Sequence, residues 1–329
     1  MDKPIIICLT PVKNEAWILD KFLKCVSLWA NYIIIADQMS TDGSREIALK
    51  YPKVILIDNT SIEFNEPERQ KLLLNAARQI PNNGQKKLLI ALDADEFLTA
   101  NFHKTEEWKA MSKAPIGTVF NFSLINIKPN FKEYWRRDYF SWGFMDDEIT
   151  THHGELIHST RIPIPQNLPQ FICHDIKILH YQYTDWQRMQ SKHRWYQCFE
   201  IINRPHLHPI SIFRIYHHMY AIDKSELNVL PSEWFDFYEE NGINMRSINK
   251  EKIYHWDKQV VDYFEKYGTK SFALINIWQN PFNKFPDPRN LRQKLLHRYL
   301  LSSQVYYYYR KFPINTIIRA IDKCLKWVF

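Results

Sequence analysis

Along the first hundred residues, short apolar runs alternate with helix-like segments, and each run stops at polar side chains. Ile5-Ile6-Ile7-Cys8-Leu9 leads into Thr10-Pro11-Val12-Lys13-Asn14-Glu15, and Tyr32-Ile33-Ile34-Ile35-Ala36 into Asp37-Gln38. Val54-Ile55-Leu56-Ile57 leads into Asp58-Asn59, and Leu88-Leu89-Ile90-Ala91-Leu92 into Asp93-Ala94-Asp95-Glu96. Between the runs lie three amphipathic segments. One carries Trp17, Phe22, Leu23, Val26 and Trp29. A second is capped by residues 40–44 and runs to about Lys50. A third is opened by Pro67 and carries Leu72, Leu73, Ala76, Ala77 and Ile80 on one face. Strands separated by single helices require a parallel sheet with right-handed crossovers. The fold expected is therefore α/β, a Rossmann-like, mainly parallel sheet flanked by helices. Such sheets bind ligands beyond the carboxyl ends of their strands, where these polar residues gather. Arg69, at the start of the third helix's buried face, joins them.

The fourth run poses the sharpest chemical question. In LLIALDADEFL three carboxylates interrupt an apolar stretch. Like charges so close repel one another, and a buried carboxylate needs a partner. Either cations neutralise the group or it faces water. Carboxylate oxygens suit hard divalent ions such as Mg2+ or Mn2+. Asp93 and Asp95 at a strand end would hold such an ion against a diphosphate. An Asp-x-Asp arises by chance in a chain of this length, so its weight comes from its place after a buried strand. The chain has seven glycines and neither a GxGxxG nor a Walker-type loop, which argues against the usual dinucleotide and P-loop sites.

Beyond residue 100 the signals weaken. Residues 116–180 read as β-rich, with a strand over 119–127. Helical periodicity returns from Trp186 to about Ile202, and after about residue 220 the chain reads as mainly helical. No apolar stretch approaches the roughly 20 residues of a membrane span. The apolar run near Met1 is too short for a signal peptide, so a cytoplasmic location is expected. The five cysteines are scattered and form no CxxC pair, which indicates neither a zinc site nor a disulfide framework. The net charge of +7 fits nucleic acid, anionic lipid or phosphorylated ligands, and selects none of them.

The segments TPVKNEAWILDKFL, IIIADQMSTDGS, ERQKLLLNAA and LLIALDADEF, in that order and strand context, resemble the nucleotide-binding half of glycosyltransferase family 2, of GT-A fold. The specific motifs cover residues 4–100, and the likeness continues more loosely over 116–200. The DADE form resembles the branch that builds lipopolysaccharide cores and other bacterial surface glycans. The resemblance implies a GT-A domain over 1–215, with a nucleotide-sugar half (1–100) and an acceptor half (101–215). A helical extension would follow over 216–329. It implies that Thr10, Pro11 and Glu15 border the base and ribose and that Asp37 accepts a hydrogen bond from the base. Arg69, closed by Asn75, would contact base or diphosphate. Asp93 would lie near ribose and metal, and Asp95 would bind the metal directly. Uridine is the commonest base in the family. Gln38-Met39 departs from the family's usual acidic-or-small pair and leaves the base open.

Family members invert the anomeric carbon in one in-line displacement, which needs a carboxylate base. HHGELIH (152–158) resembles the His-Glu segment of the DADE branch, so Glu155 is the favoured base. Asp147 and Asp146 are the other candidates. His180 follows an apolar run as Asp95 does, and the resemblance implies a diphosphate or metal contact for it. Arg188 and Lys192, one helical turn apart, would hold phosphate. The expected partners are a nucleotide-sugar donor and a saccharide or lipid-linked acceptor, with no nucleic acid. A sugar nucleotidyltransferase normally starts with a Gly-rich loop, absent here. An RNA-binding module would show an RNP, KH or zinc-knuckle pattern, and none occurs. The final residues, 314–329, would form a helix with Ile314, Ile317, Ile318, Ile321, Leu325 and Val328 on one face. Arg319, Lys323 and Lys326 fall largely on the other. The expectation is peripheral contact with the inner membrane face, against the alternative of a helix packed on its own domain.

Overall fold

The computed structural model describes residues 3–165, 169–250, 253–278, 284–308 and 313–329. The chain forms two compact units. The first comprises Met1–Thr184 and Val229–Lys250, the second Asp185–Asn228 and Glu251–Phe329. The first boundary lies inside the expected 101–215 half.

The first unit begins with β1 (Ile5–Val12), α1 (Leu19–Val26), β2 (Tyr32–Asp37), α2 (Ser44–Ala48), β3 (Val54–Asp58), α3 (Glu66–Arg78) and β4 (Lys87–Ala91). These four strands run parallel in the order β3-β2-β1-β4. Side chains alternate across a strand. Cys8, Ile33, Ile35, Leu88 and Ile90 therefore pack with α1 residues Leu19, Phe22, Leu23 and Val26 on one face. Ile7, Leu9, Ile34, Ala36, Leu89 and Ala91 pack with α3 residues Leu73, Leu74 and Ala77 on the other. Both faces are covered, which is why the runs are continuously apolar rather than alternating. Each fully buried Leu, Ile or Phe contributes about 1.5–3 kcal/mol relative to exposure. Local chemistry sets the helix starts. Asn65 accepts from the Glu68 amide at 3.1 Å and precedes Glu66-Pro67. Gly43, at φ +95°, takes a left-handed turn before α2 that a Cβ would strain.

The sheet then changes character. After β5 (Glu96–Leu98) and α4 (Glu106–Lys113), β6 (Val119–Ile127) and β7 (Glu133–Met145) form a long antiparallel pair, and β7 lies antiparallel to β4. Two short strands, β8 (Gln170–Ile172) and β9 (Ile178–His180), run parallel to β6. β5 pairs antiparallel with β9, at the end of the path β4-β7-β6-β9-β5. Only residues 92–95 separate β4 from β5 in the chain, so the sheet curls back on itself. That curl carries β9 to the tip of β4.

The second unit is helical, with α5 (Trp186–Asn203) and α6 (Pro209–Tyr216). In the first unit α7 (Asp236–Glu240) follows. The second then resumes with α8 (His255–Tyr267), α9 (Leu291–Tyr308) and α10 (Ile314–Val328). α5 is tied to α8 by Arg194, whose guanidinium donates to both oxygens of Asp257 at 2.8–3.1 Å. Ile210 and Phe213 of α6 form a core with Leu296 and Leu300 of α9, against which Leu325 and Phe329 pack.

Candidate functional site

The turn from β4 to β5 carries Asp93, Asp95 and Glu96, and the cation that meets them is Arg161. Its Nη2 donates to Asp93 Oδ2 at 2.7 Å and to Glu96 Oε1 at 3.0 Å, and its Nη1 donates to Glu96 Oε2. The guanidinium also lies over the Trp142 ring, 5.3 Å from its centroid. The guanidinium thus pairs with two of the three carboxylates. Glu96 is fully buried, and its carboxyl is raised to about 7 on balance: burial pushes it up, Arg161 pulls it down, and Asp93 and Asp95 add to the rise. Arg161 stands alone in a loop, with no sequence signal except its distance from any acid it could pair with locally.

Asp95 is 3% exposed, and its Oδ2 lies 3.8 Å from His180 Nε2. Strand pairing fixes this approach: His180 stands opposite Glu96 across β5–β9 and beside Asn126 across β6–β9. His180 Nδ1 lies 2.8 Å from Asn126 Oδ1. With the amide oxygen as acceptor, Nδ1 carries the proton and Nε2 presents its lone pair towards Asp95. A ligating histidine is oriented in this way, by a hydrogen bond at its other nitrogen. Among the described residues no group of three or more His, Cys, Asp or Glu side chains converges as a preformed metal cage. The donor chemistry at Asp95 and His180 nevertheless fits a divalent ion that completes its shell from a ligand and water.

The other rim residues surround the ends of β1 and β2. Thr10 is fully buried, its Oγ1 3.5 Å from Cys8 Sγ, and Pro11 follows it in β1. Glu15 Oε2 accepts from the Trp17 indole at 2.7 Å. Asp37 Oδ2 accepts from Arg45 at 2.9 Å and from the Ser40 amide at 3.2 Å. Its other oxygen is buried with no hydrogen-bond partner among the described residues, an acceptor ready for a donor. Arg69 lies 3.9 Å from Glu66 and 5.4 Å from the Phe64 ring centroid, and its buried Nε has no partner among the described residues.

The loop 151–161 joins these parts. The Glu66 amide donates to Leu156 O at 3.2 Å, and the Ser159 amide donates to Glu66 Oε2 at 2.7 Å. Burial raises the Glu66 carboxyl, opposed by Arg69 and the Ser159 amide. The loop then delivers Arg161 to Asp93. Glu155 is exposed on this loop, next to its tie to α3.

Asp146 and Asp147 stand elsewhere. β7 runs antiparallel to β4, so its carboxyl end lies beside the amino end of β4, and the Asp146 amide donates to Lys87 O at 2.9 Å. Six residues of strand from Lys87 to Asp93 place this end about 20 Å from the rim. Asp146 is buried under Arg78, whose Nε and Nη2 donate to it at 2.8–3.2 Å. Asp147 closes a turn, accepting from the Ile149 and Thr150 amides at 3.1 and 2.8 Å. Partial burial raises its carboxyl, but the Thr150 hydroxyl, these amides and Arg78 bring it below its ordinary value. Neither candidate base is gathered with the rim carboxylates, because an antiparallel strand reverses the end at which its following residues emerge. Arg188 and Lys192 belong to the second unit, on α5, and both lie against Trp256, at 4.6 and 5.9 Å from a ring centroid.

No family model and no curated protein matches this chain. Among solved structures it is similar in part to glucosyl-3-phosphoglycerate synthase from Mycobacterium tuberculosis, in complex with Mn2+, uridine diphosphate and glucosyl-3-phosphoglycerate. The identity is 13% and the TM-score 0.27, over 38% of this chain and 44% of that one. It is similar to S. aureus TarS 1–349 at 13% identity and TM-score 0.30, over 82% and 83% of the two chains. The match to 4-diphosphocytidyl-2C-methyl-D-erythritol synthase has 10% identity and TM-score 0.26, over 79% and 97%. The chain spans less than half the length of the mycobacterial protein. Likenesses at these scores assign no activity, so the functional reading rests on the rim's own side chains.

Proposed function

We propose that the rim is the donor site of an inverting, metal-dependent glycosyltransferase. The observation that carries this reading is the meeting of strand-end carboxylates with an oriented imidazole at the carboxyl end of β4. Arg161 answers Asp93 and Glu96, while Asp95 faces the oriented imidazole of His180. Asp95 and His180, with Asp93 beside them, would hold Mn2+ or Mg2+. Such an ion stabilises the negative charge of a departing nucleoside diphosphate. Asp37 accepts a hydrogen bond from the base through its buried second oxygen. Thr10, Pro11 and Glu15 border base and ribose, Arg69 meets the diphosphate, and uridine is the base we propose. Glu155 takes the proton of the acceptor hydroxyl, and Asp146 and Asp147 hold the fold. The acceptor is a saccharide or lipid-linked saccharide of a bacterial surface glycan, met at the inner membrane face. No helix among the described residues is long and apolar enough to cross a membrane. The contact proposed is therefore peripheral, through the exposed Ile314, Ile317, Ile321, Trp327 and Val328 of α10.

The full chain incubated with a panel of nucleotide sugars and Mn2+ should release nucleoside diphosphate, and chelation should stop it. Glu155→Gln should keep donor binding and lose transfer. Release that ignores chelation, or a panel that yields nothing, defeats the reading. Pyrophosphate among the products would instead mark a nucleotidyltransferase.

A further inference from the structure

The second unit contains a cationic pocket that the proposed chemistry does not use. Ile210, Ser211 and Arg214 of α6, Tyr307 of α9, and Arg319, Asp322, Lys323 and Lys326 of α10 enclose about 220 Å³. This is smaller than the cavities that swallow whole drug-sized ligands, and suits a compact group. Its floor is closed: buried Arg214 donates to both oxygens of Asp322 at 2.8–2.9 Å, and to Leu300 O, Gln304 Oε1 and Ser303 Oγ. That employs the whole guanidinium and satisfies Asp322, the one acid among the described lining residues. Arg319, Lys323 and Lys326 remain above it, and none has a carboxylate within ion-pair distance among the described residues. Lys326 donates to Ser211 Oγ at 2.6 Å, so the Ser211 hydroxyl proton is directed away from Lys326 and is available to another acceptor. Arg214 and Arg319 both lie against the Tyr307 ring, at 4.7 and 5.3 Å from its centroid. Cations held this close without acids stabilise a charge-dense, oxygen-rich anion.

Charge is concentrated here. Residues 284–329 contain ten Lys or Arg and two acids, a net +8 in a chain of net +7, so the preceding residues sum to −1. Both acids are already bound by arginines, Asp287 by Arg289 and Asp322 by Arg214. The opposite face of the same helix, α10, is apolar. Ile314, Ile317, Ile321 and Val328 of α10 are 39–71% exposed, and Trp327 is 87% exposed. Cationic and apolar side chains sharing one exposed helix match a membrane interface, where phosphate lies at the headgroup level above acyl chains.

We propose that this pocket binds the phosphate of an anionic lipid headgroup, seating α10 on the membrane surface. The phosphate oxygens meet Arg319, Lys323 and Lys326 and take the Ser211 hydroxyl, while the exposed isoleucines enter the acyl boundary. The site rests on the proposed membrane contact only for the source of its phosphate, and it is independent of the rim.

The test compares the full chain, an Arg319→Gln/Lys323→Gln variant and a Lys109→Gln/Lys113→Gln control that removes the same charge from exposed positions of α4. Each is titrated with phosphatidylcholine vesicles, with vesicles also containing phosphatidylglycerol, and with inorganic phosphate alone. The wild type and control should bind the anionic vesicles alike, and the pocket variant about thirtyfold more weakly. Neutral vesicles and inorganic phosphate should bind far less. Equal losses in variant and control would reduce the effect to bulk charge and overturn the site. Pocket-dependent binding of inorganic phosphate without vesicle binding would overturn the lipid source, and no binding of either would overturn both. The substituted side chains are exposed, and unchanged far-ultraviolet dichroism verifies that the fold is retained. Failure here leaves nucleotide-sugar turnover at the rim unaffected.

Discussion

At the amino end of β4, Arg78 binds Asp146 through two nitrogens and adds the Thr150 carbonyl at 2.9 Å, while Asp147 is spent on its own turn. At the carboxyl end Arg161 binds Asp93 and Glu96, but Asp95 lies beside them and faces an imidazole instead. Both clusters pair acids with an arginine, and both are largely buried. The first closes on itself, with each carboxylate oxygen occupied. The second brings three carboxylates and an imidazole to one strand end, and its arginine reaches two of the three acids. Acid clusters of similar composition can therefore be told apart by whether a metal-ligating side chain such as histidine joins them.

The comparison breaks most visibly at Arg78. Arg78→Ala strands a buried Asp146 and should cost about 3–5 kcal/mol in urea unfolding, with donor binding by the folded fraction unchanged. A loss of donor affinity at full stability would put Asp146 back at the reaction. Asp95→Ala should show the converse. Turnover of the nucleotide sugar should fall about a hundredfold to a thousandfold while the unfolding midpoint stays near that of the wild type. Asn126→Leu removes the acceptor that orients His180, and Mn2+ affinity should fall about 10–100-fold. Equal Mn2+ affinity in this variant would separate His180 from the metal.

The smallest effect is the pH response, where the two ends should differ in sign. Glu96 is raised to about 7, so the native state binds a proton that the unfolded chain releases at lower pH. Its stabilisation is complete below the ordinary glutamate range and is lost as pH rises to about 7. Asp147 is held below its ordinary value, so its contribution is present above that value and is lost as pH falls. Urea midpoints across pH 4 to 8 should fall less steeply with rising pH in Glu96→Gln, and less steeply with falling pH in Asp147→Asn. An unchanged upper limb in Glu96→Gln would show that Glu96 is ionised throughout.

β1, β2 and β4 were legible because each is covered on both faces and so is written as an unbroken apolar run, and β3 keeps such a run although it lies at the sheet edge with Ile55 exposed. β6 was legible for the same reason, and Val119–Ile127 spans the expected residues. β7 was harder to read, since Glu133–Met145 mixes exposed arginines with buried aromatics. The rim's polar ends could be read because parallel strands all finish on one side. What local sequence does not encode is which end of a sheet a later strand reaches, and this separated Asp146 and Asp147 from the rim. Arg161 went unread because its partners are 65 and 68 residues away. The α10 stripe was legible only in outline. Ile318 and Leu325 turn partly inward with buried Asp322, while Ile314, Ile317, Ile321 and Val328 stay exposed.

The first unit is interrupted in the chain, and this has a consequence for biosynthesis. Trp234, Phe235, Tyr238 and Met245 belong to the same core as Phe22 and Phe97. Tyr238 Oη donates to Leu98 O at 3.1 Å, and Tyr181 Oη to Met245 O at 2.7 Å. A ribosome reaches these residues only after the 44 residues Asp185–Asn228, a delay of roughly 2–9 s at about 5–20 residues per second. Throughout that interval the nascent sheet lacks the short strand Asn228–Val229 that pairs with β7, and part of its aromatic cover. The exposed patch is a natural client surface for chaperones that hold unfinished chains. A gene fragment ending at residue 215 would make that uncovered intermediate permanent.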